Sequence, residues 1–139
     1  FLVVLRDVGF EAGAEVVERI RATVAGHTFV VGPDLSLRRT TSLGFAAMSG
    51  DRARALGWTR VVDLADRCLY LSKNSGRDAW VGAEIGPRTT DAFLRDLGSA
   101  VDRGEVRLAT NLSHERLAWP QAEVDDPLGV TPPPHSTRG

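Results

Sequence analysis

Apolar positions recur with two different periods along this chain, and the switches between them set the expected elements. Residues 1–5, Phe-Leu-Val-Val-Leu, are an unbroken apolar run rich in β-branched and aromatic side chains, the pattern of a buried strand. Asp7 to Gly9 break the run. Gly13, Val16, Val17, Ile20 and Val24 then follow helical spacing, with Glu15, Glu18, Arg19 and Arg21 between them. That predicts an amphipathic helix over about 11–25, with Gly26 at its C-terminal cap. His27 to Val31 predicts a second strand, Gly32-Pro33-Asp34 a turn, and Leu35 to Met48 one long strand bent near Gly44. Ser49 to Gly57 is a polar loop containing Arg52 and Arg54. Thr59 fits an N-cap, and Val61, Leu64, Ala65, Cys68 and Leu71 carry a helix to about Ser72, stopped by Asn74-Ser75-Gly76. Asp78 to Ile85 predicts another short strand. After Pro87, the positions of Phe93, Leu94, Leu97 and Val101 predict a helix over about 90–103. Beyond Asn111 the pattern fades, and Asp125 to Gly139, with four prolines and few apolar residues, predicts a disordered tail.

The order strand, helix, strand pair, helix, strand implies an α+β fold with helices layered on an antiparallel or mixed sheet. Composition adds exclusions. At 139 residues with 42% hydrophobic content, the chain suits one domain plus a tail. Seventeen basic and eighteen acidic residues leave a net charge of -1, which argues against a protein built to coat nucleic acid. A local phosphate site needs only two or three cations and stays open. Cys68 is the sole cysteine, so no internal disulfide and no cysteine metal cluster can form. His27, His114 and His135 lack metal-like spacing. No apolar run reaches the roughly 18–20 residues of a membrane span. The chain opens on Phe1 rather than Met, so an upstream segment is expected.

Three segments, in order, resemble the GGDEF domain, the catalytic domain of bacterial diguanylate cyclases. The first is Phe1 to Leu5 followed by a helix with Glu18-Arg19-Ile20-Arg21. It is similar to the family's signature Phe, apolar strand and Glu-Arg-Ile-Arg helix, so Phe1 corresponds to the last letter of the signature motif. The second is Thr40-Thr41-Ser42-Leu43-Gly44. The third, Ala65-Asp66-Arg67-Cys68-Leu69-Tyr70-Leu71-Ser72-Lys73-Asn74-Ser75-Gly76-Arg77-Asp78, is similar to Ala-Asp-x-Ala-Leu-Tyr-x-Ala-Lys-x-x-Gly-Arg-Asn and is the most specific. Cys68 and Ser72 replace small alanines there, and Asp78 replaces Asn.

The resemblance implies a ferredoxin-like palm of the nucleotide-cyclase and polymerase type lacking its N-terminal strands. Residues 1–85 would be the C-terminal part of the domain, 86–111 an appended helix and extension, and 112–139 a Pro-rich tail. It also implies condensation of two GTP to cyclic di-GMP with release of pyrophosphate in an intact domain. Two Mg²⁺ would be held by carboxylates upstream of this chain, in a cytoplasmic homodimer whose parent carries a sensory or membrane domain. By this implication residues 1–139 alone are inactive. The alternative is a degenerate module that binds GTP or cyclic di-GMP and regulates a neighbour.

Lys73 and Arg77 match the family positions that hold the triphosphate. Lysine offers a point charge, and arginine a fork that fits phosphate oxygens. The competing assignment is structural: a lysine complementing a helix C-terminus, with Gly76 as its cap. Arg19 matches a position that in some members binds inhibitory cyclic di-GMP; alternatively it is a solvated arginine paired with Glu15. Asp66, Tyr70 and Trp80 are expected to pack, and Cys68 to lie in the core.

Overall fold

The computed structural model describes residues 1–48, 51, 55–86, 89, 93 and 95–119. Helix α1 spans Phe10–Gly26, strands β1 Thr28–Gly32 and β2 Leu35–Arg38, strand β3 Leu43–Ala47, helix α2 Trp58–Asn74, strand β4 Trp80–Ile85, helix α3 Leu97–Asp102 and strand β5 Val106–Thr110. A 3-10 turn at His114–Arg116 follows. The molecule is α+β. The strands form two sheets: the antiparallel hairpin β1–β2, and a three-stranded sheet in the order β3-β4-β5.

In the larger sheet β4 is central. It pairs parallel with β3, Leu43 beside Trp80 and Ala47 beside Glu84, and antiparallel with β5, Val81 opposite Thr110 and Ile85 opposite Val106. The parallel pair needs a crossover, and α2 supplies it. Alternation along the strands sends Gly44, Val81, Ala83 and Ile85 to one face and Phe45, Trp80 and Glu84 to the other. On the first face the main core gathers Leu64, Cys68 and Leu71 of α2 with Val81, Ala83, Ile85, Phe93, Leu97, Ala100, Val106 and Leu117. Here the backbones come very close: a Cβ on Gly44 would collide with the amide nitrogen of Leu69 and the carbonyl oxygen of Ala65. Glycine at 44 is therefore what lets α2 seat on β3.

The opposite face is covered by α1. Phe45 stacks against Phe10 at 5.4 Å and against Trp80 at 5.9 Å, and the Phe45 ring lies under Gly13. Arg107 of β5 spans the edge of this layer. It donates to Glu11 at 2.7 Å and Glu84 at 2.9 Å, and its guanidinium lies 4.5 Å from the Phe10 ring centre.

Several sequence expectations are corrected. Phe1–Leu5 is not a buried strand: the segment has no regular structure, and Leu2, Val3 and Val4 are exposed. An apolar run becomes a strand only where a neighbour takes its backbone groups, and among the described residues none lies beside it. Leu35 to Met48 is not one bent strand. It splits into β2 and β3, which belong to different sheets, because Arg39–Ser42 carry no ladder bonds. Helix α2 begins after Gly57, at φ 79°, so Thr59 lies inside the helix instead of capping it. The last helix is shorter than expected: its described part starts after Asp96, whose side chain accepts from the Ser99 amide at 2.9 Å. Strand β5 and the 3-10 turn were not expected, since alternation at Val106, Leu108 and Thr110 is too short to stand out. Arg52, Arg54, His135 and the tail beyond 119 lie outside the described residues.

Candidate phosphate-binding site

The turn after α2 lies between the two sequence-predicted cations, Lys73 and Arg77. Lys73 lies in the last turn of α2, Asn74 is its final residue and Ser75 its C-cap, with the Ser75 amide donating to Leu71 at 2.9 Å. Gly76 then adopts φ 112°, and the Arg77 amide reaches back to the Ser72 carbonyl at 3.2 Å. That is the long bond of a Schellman-type cap with glycine in its left-handed position. The tight reversal sets Lys73 and Arg77 on either side of it, both exposed.

Arg77 and Asp78 also have positive φ, 59° and 46°, unusual for side-chain-bearing residues and costing roughly 1–3 kcal/mol each. A clasp from α1 holds this conformation. Arg21 donates to Asp78 at 2.8 Å and grips both oxygens of Glu18, at 3.0 and 2.8 Å. Glu18 in turn accepts from the Trp80 indole at 2.8 Å. The Arg21 hydrogen bond holds the Glu18 carboxyl below its ordinary value, against the opposing effect of burial, with help from the indole. Bonds to Glu18 and Asp78 keep Arg21 firmly protonated. The substitution of Asp for Asn at 78 thus has a charge partner 57 positions away.

Arg19, weighed as an inhibitory-site candidate or as a solvated arginine paired with Glu15, is exposed on α1; no ion pair with Glu15 is formed among the described residues. Its neighbour Arg21 is the residue that reaches the turn. Sequence reasoning missed that role for Arg21 and Glu18, although their i, i+3 spacing on a helix was a visible cue. Phe1 is exposed. Trp80 packs against Phe45 as expected, whereas Asp66 and Tyr70, also expected to pack, are exposed. Cys68 is fully buried, and burial pushes its thiol up to about 12, the state of an inert core residue. Among the described residues no group of three or more His, Cys, Asp or Glu side chains could hold a metal.

Comparison with known proteins points in the same direction as the third segment. The chain is 38% identical over 79 residues to the diguanylate cyclase DgcP of Pseudomonas aeruginosa, a match covering 56% of this chain and 11% of that protein. No protein-family model matches the chain, and no solved structure does. The similarity marks a GGDEF-like region, and the chain spans about a ninth of its relative's length. No helix among the described residues is long and apolar enough to cross a membrane.

Proposed function

We propose that residues 1–85 are part of a GGDEF domain with a palm-type fold, and that in the complete domain this region helps convert two GTP to cyclic di-GMP. The observation that carries the reading is the turn 73–78: two exposed cations on a glycine-capped reversal, within the stretch most similar to the family. Lys73 and Arg77 hold triphosphate oxygens there, Lys73 as a point charge and Arg77 through paired N–H groups. Each neutralises charge that builds up as pyrophosphate leaves. Magnesium, which activates the attacking hydroxyl in such chemistry, takes its ligands from outside the described residues. Catalysis in a homodimer, with each subunit presenting one GTP, belongs to the same proposal.

A hybrid enzyme tests it. The 79 matched residues of the P. aeruginosa cyclase are replaced by those of this chain, and cyclic di-GMP is followed by nucleotide chromatography. Turnover is expected, with Lys73→Ala and Arg77→Ala each lowering kcat/KM about tenfold or more, as loss of a charge-assisted phosphate contact implies. A folded hybrid that turns over GTP equally well with both alanines would overturn the phosphate assignment. One that binds GTP or cyclic di-GMP without turnover would identify a binding module instead.

A further inference from the structure

We propose that Arg116 is a third cation of this phosphate site, delivered by the segment that follows β5. The inference rests on Lys73 and Arg77 being phosphate ligands, and adds a residue from outside the stretch that carries the resemblance. Three observations place it. The chain just after Arg116 is held in place: Leu117 is buried in the main core, and the Ala118 amide donates to the Ser75 hydroxyl of the α2 turn at 2.9 Å. The 3-10 turn, closed by the Arg116 amide on the Ser113 carbonyl at 2.9 Å, then aims the side chain back over residue 76. There the Arg116 Nη2 lies 3.1 Å from the point a Cβ would occupy on Gly76, so the missing side chain leaves the space the guanidinium fills.

The charge pattern indicates the ligand. Asp78, the acid of the turn, is taken by Arg21. Among the described residues no carboxylate pairs with Lys73, Arg77 or Arg116, and Arg116 is exposed. Cations on and beside one turn, unpaired with carboxylates among the described residues, repel one another weakly in water, and a polyanion bridging them relieves that repulsion. The fork of Arg116 suits the oxygens of a diphosphate or triphosphate. Free pyrophosphate and a nucleoside triphosphate offer the same chemistry. The competing role is capping: a cation near the C-terminal carbonyls of α2.

Titration calorimetry of the full chain at low salt, with pyrophosphate and separately with GTP, decides between them. Arg116→Ala and Arg116→Gln are expected to raise Kd for both ligands about fivefold to tenfold, the loss of one exposed charge-assisted contact. Lys73→Ala should do the same, and Arg116→Lys should recover part of the loss. Melting should be unchanged in Arg116→Gln, which keeps the stem and removes the charge. Unaltered affinity in both neutral variants, beside a loss in Lys73→Ala, would overturn the role of Arg116 and leave Lys73 and Arg77 standing. A loss for GTP alone would also overturn it, by placing Arg116 on the nucleoside. If the wild-type chain binds neither ligand at millimolar concentration, both assignments fall together.

Discussion

Phe1–Leu5 and Trp80–Ile85 are two short, largely apolar runs, and they end in opposite environments. Ala83 near the centre of the second is 0% exposed, whereas Val3 at the centre of the first is 70% exposed. The difference lies in what surrounds each backbone. Trp80–Ile85 has β3 on one side and β5 on the other, with α1 over one face and α2 over the other, so its backbone is paired along both edges and both side-chain faces are covered. Among the described residues, none pairs with Phe1–Leu5. Hydrophobicity favours leaving water, but a strand also requires partners for its N–H and C=O groups. The final residue of the comparison is Asn111, just past β5: its side chain accepts from the Trp80 amide at 2.9 Å, completing the ladder where the sheet ends.

The largest effect should come from loosening what seats α2 on the sheet. Gly44→Ala puts a Cβ into the backbone of α2 at Ala65 and Leu69, where no flexible side chain can yield. A destabilisation of about 3 kcal/mol or more is expected. Circular dichroism melting checks it, and wild-type melting would mean that burial of β4 does not depend on this close approach.

A smaller effect should follow from opening the α1 clasp. Arg21→Ala removes the bonds to Glu18 and Asp78 and should cost about 1–2 kcal/mol, because the group is partly solvated. The pH dependence has a definite sign. Glu18 has a folded-state value below its ordinary 4.5, so its contribution is complete above that pH and is lost as the pH falls through the lowered value. Urea midpoints measured from pH 6 down to pH 3 should therefore drop more steeply for wild type than for Glu18→Gln. Parallel curves would show that the clasp does not support α1.

The smallest effect belongs to the first run. Leu2→Ser with Val4→Ser should shift stability by no more than about 0.5 kcal/mol, as for other exposed positions. It should also reduce self-association, since exposed apolar segments promote it. Sedimentation velocity and thermal melting read the two quantities. A loss of more than about 1 kcal/mol would mean that Phe1–Leu5 packs after all, and the contrast with β4 would collapse.

Local pattern was enough for the elements whose signal is carried by their own side chains. The apolar stripe Val61, Leu64, Cys68 and Leu71 marked α2, the spacing from Gly13 to Val24 marked α1, and Asn74-Ser75-Gly76 marked the reversal that bears Lys73 and Arg77. The phosphate reading of Lys73 and Arg77 comes from the resemblance of the whole 65–78 segment to the family motif; the two residue types and their spacing alone fit a helix cap equally well. Tertiary structure alone decided what depends on distant neighbours. It left Phe1–Leu5 unpaired and divided Leu35–Met48 between two sheets. It also brought Arg21 to Asp78 and carried Arg116 onto Gly76. A helix repeats its hydrogen bonds within itself and so is legible along the chain, whereas strand pairing and long-range ion pairs join residues tens of positions apart, and no local period records them.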